Sequence, residues 1–408
     1  MTRYRNRRLE GVLRKATAQF PCSVVTGPRQ SGKTTLVRHC LGARYRYLSL
    51  DEPDVRTMAI DDPRLFIQVN KPPLIIDEIQ YAPDLLGYIK RRVDESRDVA
   101  GQYVLTGSQM FPLMAGVTES LAGRIAVLSL LPLSWGERLE TKVSSSPVAD
   151  SIGKIPDMAS SVETTLSGIV RGSYPETVFD PARETRLWYA SYVQTYLERD
   201  VRRLRNVGDI EEFQRFMRAL AARNGQILNM AELGRDIGVA LNTVKAWISI
   251  LVATYQVVLL RPYHRNLGKR LVKSPKVYFT DTGLACYLTG IQTVEQCLGT
   301  PQGGALLESA FLGELIRWHY NRGDQPAVYV WRTAAGEEVD FVLETGGRLY
   351  AYEVKMRAEY KLSLVASLRR FSGLFDNVYR GRLINLGDEI RTVGEKLEMV
   401  PFGWVATW

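Results

Sequence analysis

The sequence has few of the residues that hold structural metals or disulfide frameworks. It contains four cysteines and three histidines in 408 residues, with no C-x-x-C pair and no cluster of histidines. A structural zinc site needs thiolates or imidazoles at short spacings, and a disulfide scaffold needs a much higher density of cysteine. We therefore expect neither, and reduced thiols in a cytosolic protein are the simplest interpretation.

Long apolar runs are also absent. The N-terminus has four arginines among its first eight residues, and no apolar signal segment follows them. The longest nearly apolar run, residues 248–260, includes Thr254, Tyr255 and Gln256. It is shorter than the roughly 20 residues that a membrane-spanning helix needs. These absences predict a cytoplasmic protein that does not contact a membrane.

The composition is that of an ordinary folded protein with a basic excess. Hydrophobic residues make up 45% of the chain and charged residues 24%, which argues against global disorder. Lysine and arginine number 53 against 44 acids, so the formal net charge is +9. This moderate excess favours a polyanionic partner such as DNA or RNA, although many basic proteins bind neither.

Short apolar segments alternate with helical patterns in the first third of the chain. Strands are predicted at residues 23–26, 45–50, 74–76, 103–106 and 125–130. This alternation is typical of an α/β fold with a parallel sheet. The composition changes after residue 140. The predicted order is a sheet domain (1–140), a linker (141–161), a helical region (162–225), a winged helix-turn-helix (226–295) and a small α/β domain (300–408).

One loop carries the strongest functional signal. Residues 27–34 match G-x-x-x-x-G-K-[ST] at every fixed position, between a predicted strand and a predicted helix. Such a loop turns its N–H groups toward phosphate oxygens, and the helix presents its positive end to the same anion. Lys33 is expected to reach the β- and γ-phosphates and Thr34 to bind Mg²⁺. The predicted phosphate-binding residues are Gly27, Pro28, Arg29, Gln30, Ser31, Gly32, Lys33, Thr34 and Thr35.

Polar residues follow two further strands at the same edge of the predicted sheet. Asp77 is expected to hold Mg²⁺ through water, and Glu78 to activate the attacking water. Solvated acids at a strand end are the alternative. After the fourth strand, Thr106 or Ser108 could sense the γ-phosphate, and an ordinary polar turn is the alternative.

Arg124 is a candidate arginine finger for a neighbouring subunit, with a plain surface arginine as an equal alternative. That role implies a homo-oligomer, such as a hexameric ring. Guanine recognition would usually involve an N-K-x-D element, and the nearest string, residues 70–73, lacks the aspartate. The sequence therefore predicts ATP as the nucleotide.

Two short helices around a tight turn are predicted in the middle of the chain. Asn229 fits a helix N-cap, and Gly238 separates this helix from a second one near Asn242. Strands at residues 257–263 and 276–279 would form a wing whose basic loop suits the phosphate backbone of a duplex. A winged helix used for protein contact is the alternative. The predicted DNA-binding residues are Arg265, Lys269, Arg270 and Lys273.

Acids and a lysine recur near the C-terminus. Asp340 is predicted at a strand's end, and Glu353 and Lys355 share one face of the next strand because their spacing is two. Glu308, on an upstream helix, would be a further acid near a metal. Such a group can bind Mg²⁺ and activate water, and it resembles the D…E-x-K signature of the PD-(D/E)XK nuclease core. A simple ion pair, or a nuclease-like fold that only binds DNA, are the alternatives.

Taken together, the chain resembles a prokaryotic family of AAA-type P-loop ATPases that carry a C-terminal domain of unknown function, number 4143. The resemblance implies a P-loop NTPase sheet, then a winged helix, then a nuclease-like domain. Besides the strings above, the matching segments are residues 50–53, 121–124, 131–134, 172–176, 196–200, 267–276, 279–284 and 352–355.

Three functions remain open from the sequence. The first is Mg²⁺-dependent ATP hydrolysis coupled to DNA binding, with remodelling of, or translocation on, forked or branched duplexes. The second is a nucleotide-gated switch whose winged helix binds operator DNA or a protein. The third is an ATP-regulated, metal-dependent nuclease. The nucleotide loop is common to all three.

Overall fold

The computed structural model describes residues 4–108, 121–196, 210–264, 274–333, 335–358 and 361–408. The chain forms two compact units. Unit 1 comprises Met1–Pro132, Ala253–Tyr255 and His319–Gln325, and unit 2 comprises Leu133–Val252, Gln256–Trp318 and Pro326–Trp408.

Unit 1 is built on a five-stranded sheet. Its strands are β1 (Cys22–Thr26), β2 (Arg46–Ser49), β3 (Leu74–Asp77), β4 (Tyr103–Gly107) and β5 (Ile125–Ser129). They lie in the order β2-β3-β4-β1-β5, and every pair is parallel. Thr26 pairs with Gly107 and Ser129, so the carboxyl ends of the strands meet at one edge. The helices are α1 (Glu10–Gln19), α2 (Lys33–Leu41), α3 (Pro53–Asp61), α4 (Pro63–Val69) and α5 (Leu85–Glu95).

The strands of this sheet are apolar on both faces because helices cover both. Val24 belongs to one buried cluster and the next residue, Val25, to the other; Ile76 and Ile75 divide in the same way. Each aliphatic side chain buried in this manner contributes about 1.5–3 kcal/mol to folding. The predicted α/β fold with a parallel sheet is confirmed.

Unit 2 contains a helical part and a two-stranded hairpin. The helices are α6 (Trp135–Arg138), α7 (Asp157–Ser160), α8 (Val162–Arg171), α9 (Pro175–Phe179), α10 (Thr185–Tyr196), α11 (Ile210–Ala221), α12 (Met230–Ile237), α13 (Leu241–Ala253), α14 (Thr282–Thr289), α15 (Val294–Gly299) and α16 (Gln302–Tyr320). The last residues of α13 and α16 fall within unit 1. The hairpin pairs β6 (Val257–Leu260) with β7 (Lys276–Phe279) in antiparallel fashion.

The predicted helix pair around Gly238 is present. The Asn229 side chain caps α12 by accepting a hydrogen bond from the N–H of Glu232, and Gly238 ends the helix with a φ of 78°. The axis of α13 is bent by 107° from that of α12. In the described part of the chain no single helix is long and apolar enough to cross a bilayer, and this bent pair passes that test by length and composition only.

A six-stranded sheet forms the C-terminal part of unit 2. Its strands are β8 (Val328–Arg332), β9 (Glu338–Thr345), β10 (Arg348–Val354), β11 (Val378–Asn385), β12 (Arg391–Thr392) and β13 (Leu397–Pro401), in the order β12-β13-β11-β10-β9-β8. The neighbours β10–β11 and β11–β13 are parallel and the others antiparallel. Helix α17 (Ala366–Leu374) packs Leu368 and Phe371 into the core of this sheet.

The segment predicted as a loop or linker, residues 141–161, has little regular structure apart from α7. Hydrogen bonds tie it to the C-terminal part of unit 2. The N–H of Ser144 donates to the carbonyl of Thr407 at 3.0 Å, and the buried guanidinium of Arg382 donates to the carbonyl of Pro147 at 2.8 Å. The segment is therefore held against this part of the fold along much of its length.

Candidate functional site

The predicted phosphate-binding loop joins β1 to α2. Its two glycines adopt backbone angles that other residues avoid, since φ is 146° at Gly27 and 93° at Gly32. Gly32 is the N-cap of α2, so the free N–H groups of that helix begin at the loop. The buried hydroxyl of Ser31 has no hydrogen-bond partner within the described residues. The loop therefore offers backbone donors and an unsatisfied hydroxyl, which suits a phosphate.

Replacing Gly27 with alanine should destabilise unit 1. A Cβ at this position would lie 2.1 Å from the carbonyl oxygen of Leu130, which is backbone and cannot rotate away. We expect a loss of about 2–4 kcal/mol and a clearly lower midpoint in thermal unfolding. Gly87→Ala in α5 is the matched control, because no atom lies within 4 Å of its Cβ. Equal midpoints for the two variants would contradict this account of the loop.

Lys33 is buried inside its own loop. Its amine donates to the carbonyl oxygens of Gly27 at 2.9 Å and Pro28 at 2.8 Å. Neutral carbonyls are weaker acceptors for an ammonium group than phosphate oxygens are. The lysine amine is therefore held within the loop, and its contact with phosphates stays a prediction.

Thr34 and Asp77 meet beside the loop. The Thr34 hydroxyl lies 2.9 Å and 3.2 Å from the two carboxylate oxygens of Asp77. Asp77 is buried and also accepts hydrogen bonds from Tyr47, at 2.6 Å, and from Thr106. Burial, and then the bond to Asp77, raise the pKa of Tyr47 well above its usual value, so this hydroxyl keeps its proton. Asp77 is thus fixed in place by three hydroxyl groups.

Glu78 follows β3 in a left-handed backbone conformation, with a φ of 58°. Its N–H donates to the Thr106 hydroxyl at 3.2 Å. One carboxylate oxygen accepts from the side-chain amide of Gln80, which also donates to the Ser108 hydroxyl at 3.2 Å. Thr106 therefore contacts both predicted acids, and Gln80 links Ser108 to Glu78. Sensing by either residue stays a prediction.

Arg124 lies far from the nucleotide loop of its own chain. It precedes β5, at the amino edge of the sheet, and the loop follows β1 at the carboxyl edge, about 15 Å along a five-residue strand. Its guanidinium pairs with Asp94 at 2.5 Å. If Arg124 takes part in hydrolysis, it would therefore act at the nucleotide site of another subunit. The arginine finger stays a prediction.

The C-terminal site residues converge at the start of β9 and the end of β10. The amine of Lys355 lies 2.6 Å from Glu353 and 3.7 Å from Asp340. Asp340 also accepts from the N–H of Val354 at 2.8 Å. Glu308, on α16, accepts from the Tyr278 hydroxyl at 2.8 Å. The D…E-x-K residues therefore form one contact group, with Asp340 near the first residue of its strand.

A second lysine, which the sequence did not indicate, extends this group. The amine of Lys276 is buried; it pairs with Glu338 and lies 4.0 Å from Glu308. Burial, then the charge of Asp340, raise the pKa of Glu308 to about 7 and that of Glu353 to about 8. One buried carboxylate oxygen of Glu353 has no hydrogen-bond partner among the described residues. The cluster therefore contains more carboxyl groups than its two lysines can neutralise.

Metal binding at this cluster stays a prediction. Over the ranges that the structure describes, no three histidine, cysteine or acidic side chains are grouped so that they could hold a metal ion. The predicted DNA-binding residues Arg265, Lys269, Arg270 and Lys273 lie outside the described residues.

Two side chains that sequence reasoning missed support the nucleotide loop. Arg7 donates to the carbonyl of Ser31 at 2.8 Å and to that of Leu131 at 2.7 Å. Tyr47 orients Asp77 from the edge strand β2. No motif marks Arg7, because its partners are backbone carbonyls distant in sequence. A hydroxyl on the strand beside β3 is a weak signal that could have suggested Tyr47.

Three family models match the chain. They are described as an AAA domain, at residues 19–139, and as two domains of unknown function, DUF8612 at residues 163–295 and DUF4143 at residues 303–405. The first and third confirm the predicted AAA-type domain and the C-terminal domain numbered 4143. The descriptions as winged helix and nuclease-like fold stay predictions.

Two relatives match with equal scores: the uncharacterized protein Rv2008c of Mycobacterium tuberculosis and the uncharacterized protein Mb2031c of Mycobacterium bovis. Each is 31% identical over 353 residues, which is 86% of this chain and 74% of the relative.

A solved structure, the Walker-type ATPase PABY2304 of Pyrococcus abyssi, is 15% identical to this chain, with a TM-score of 0.44. The match covers 69% of this chain and 94% of the solved one. The AAA domain implies nucleotide binding, and the chain belongs to the same family as the two mycobacterial proteins.

Proposed function

We propose that this protein binds and hydrolyses ATP with Mg²⁺ at the loop of residues 27–34. The observation that supports this most is the pairing of the Thr34 hydroxyl with the Asp77 carboxylate at 2.9 Å beside the loop. A hydroxyl and a carboxylate are hard oxygen donors of the kind that Mg²⁺ prefers. These two residues would hold the ion, which neutralises phosphate charge when bound.

Each remaining residue has a role that follows from its position. Lys33 would exchange the carbonyls of Gly27 and Pro28 for β- and γ-phosphate oxygens, which are stronger acceptors. Glu78 has one oxygen engaged by Gln80 and would use the carboxylate to orient and deprotonate the attacking water. The N-terminus of α2 would stabilise the phosphate charge.

Phosphate release from ATP, measured with the full chain, tests this proposal. We expect turnover in the presence of Mg²⁺, its loss on addition of EDTA, and a clear preference for ATP over GTP. Absence of both nucleotide binding and turnover would overturn the assignment of the site. Equal use of GTP would overturn the choice of ATP alone.

We further propose that hydrolysis is coupled to DNA. Support comes from the bent pair α12–α13, the antiparallel hairpin that follows it, and the basic residues between the hairpin strands in the sequence. In helix-turn-helix proteins the second helix of such a pair enters the major groove of DNA. Charge on the hairpin loop would bind the phosphate backbone.

Turnover with and without duplex and forked DNA tests the coupling. We expect several-fold stimulation, and its loss in a Lys269→Glu, Arg270→Glu variant whose basal turnover is unchanged. Basal turnover without any DNA effect, accompanied by a nucleotide-dependent change of oligomer in size-exclusion runs, would instead support a nucleotide-gated switch.

A homo-oligomer, such as a hexameric ring, is part of the proposal because Arg124 lies at the sheet edge opposite its own loop. Mixing inactive Arg124→Ala and Lys33→Ala subunits tests it. If Arg124 acts on a neighbour, the mixture should regain part of the turnover that each variant lacks. A fully active Arg124→Ala variant would make this residue an ordinary partner of Asp94.

Metal-dependent cleavage of DNA is a second candidate activity, favoured by the contacts of Lys355 with Asp340 and Glu353. Labelled DNA incubated with Mg²⁺ or Mn²⁺ should be cut, and Lys355→Ala should abolish the cutting. Lys154→Ala, an exposed lysine of the same unit, is the control. No cutting of any substrate would leave this domain without a catalytic role.

A further inference from the structure

A groove on unit 1, between α4 and α5, has four cations among the eight residues that line it. Both helices turn their apolar residues, including Phe66 and Ile89, toward the same core of the sheet. Their outer faces leave a cavity of about 410 Å³ between them. The residues that line it are Arg64, Ile67, Gln68, Lys71, Tyr88, Arg91, Arg92 and Glu95.

The charges in this groove are largely uncompensated. Glu95 is its one acid, and it pairs with Arg92 at 2.7 Å. Arg64, Lys71 and Arg91 have no carboxylate partner among the residues that the structure describes. Three like charges facing one groove repel each other, so an anion that enters it gains energy from all three.

The spacing of the lining residues gives the groove two regular walls. On α5, Tyr88, Arg91, Arg92 and Glu95 follow the i, i+3, i+4, i+7 pattern that places residues on one helix face. Arg64 and Gln68 are four apart on α4 and form the facing wall. A ligand with several anionic groups in a row could therefore contact both walls along the groove.

Tyr88 distinguishes this groove from a merely basic surface. It is one of the large side chains left exposed in the structure, at 37%, although its own helix supplies much of the core. An aromatic ring among cations offers a stacking surface for an unpaired base, while the guanidinium groups bind phosphates in a bidentate manner. An acidic peptide would use the cations and leave the ring without a partner.

We propose that the groove lined by Arg64, Lys71, Tyr88 and Arg91 binds single-stranded nucleic acid, with phosphates on the cations and a base on the tyrosine ring. This groove shares no residue with the nucleotide loop or with the basic segment 265–273. It does not depend on ATP hydrolysis, so either assignment can fail without the other.

Fluorescence anisotropy with labelled 15-nucleotide DNA and RNA strands, at two salt concentrations, tests the proposal on the full chain. Arg64→Glu combined with Arg91→Glu should weaken binding at least tenfold and reduce the slope of log affinity against log salt by about two. Tyr88→Ala should weaken binding roughly tenfold, and Tyr88→Phe should leave it unchanged. The DNA and RNA arms identify which strand is preferred.

Controls separate this groove from other basic surfaces. Lys15→Glu with Arg44→Glu makes the same charge change at exposed positions of unit 1 outside the groove and should leave binding intact. Lys269→Glu with Arg270→Glu reports on the hairpin loop alone. If the charge-reversed groove variant unfolds, Arg64→Gln with Arg91→Gln replaces it. Unchanged binding in folded groove variants, or tighter binding of a polyglutamate peptide than of either strand, would overturn the proposal.

Discussion

Replacing Lys33 with alanine should lower ATP turnover by about a hundred- to a thousandfold. A preorganised cation near developing phosphate charge acts in a site shielded from water, and losing one such donor typically costs that much in rate. The structure adds a reason specific to this chain. The amine is already held within its loop by the carbonyls of Gly27 and Pro28, so little ordering is needed when phosphate replaces them.

The measurement is steady-state phosphate release, accompanied by nucleotide binding with a fluorescent analogue. Lys15→Ala, an exposed lysine on α1, is the matched control and should behave as the wild type. Unfolding of the Lys33→Ala variant would mimic the result, so its thermal midpoint must be recorded as well. Full turnover in a folded Lys33→Ala variant would rule out residues 27–34 as the hydrolytic site.

The nucleotide loop could be predicted from sequence because the residues that define it are close together in the chain. Gly27 and Gly32 are required by backbone angles that only glycine adopts readily, and Lys33 and Thr34 follow at fixed positions. Arg7 supports the same loop but could not be predicted. It reaches backbone carbonyls, which every residue possesses, so its sequence context carries no signal.

Glu78 illustrates an intermediate case. Its position after an apolar strand predicts that it lies at the carboxyl edge of the sheet, and the structure pairs that strand with β4 and places the Glu78 N–H 3.2 Å from the Thr106 hydroxyl. The left-handed backbone at this residue and its bond to Gln80 depend on how the chain turns into the following 3₁₀ helix. The sequence pattern that predicts a strand does not predict the turn that follows it, because any polar residue at position 80 would have been equally compatible with that pattern.

The C-terminal cluster was predicted in part, for a similar reason. Glu353 and Lys355 share a face because strands alternate, and the structure places their charged groups 2.6 Å apart. Lys276 comes from the hairpin strand β7, and only the packing of that strand brings it to Glu308 and Glu338. A long-range contact between residues of common types leaves no local pattern.

Replacing Glu78 with glutamine should separate nucleotide binding from hydrolysis. The amide keeps the size of the side chain but cannot accept a proton, so the attacking water loses its base. We expect turnover to fall by about a hundred- to ten-thousandfold while nucleotide affinity changes little. This split follows from the geometry, because Lys33, Thr34 and Asp77 carry the predicted phosphate and metal contacts, whereas the Glu78 carboxylate accepts a hydrogen bond from Gln80.

Asp98→Asn is the matched control for this variant, since it makes the same change at an exposed acid of unit 1. The Glu78→Gln variant should also accumulate bound ATP, measurable after rapid gel filtration in Mg²⁺. Two outcomes would contradict the assigned role. Turnover near the wild-type value would remove Glu78 as the base, and a parallel loss of binding would make it a residue that shapes the site. The Gln80 amide donates a hydrogen bond to the Glu78 carboxylate, and a glutamine at position 78 would disturb this contact. A Gln80→Leu variant removes the same contact but keeps the carboxylate of Glu78. If its nucleotide affinity is intact, its turnover shows how much of the Glu78→Gln effect comes from lost positioning and how much from the lost base.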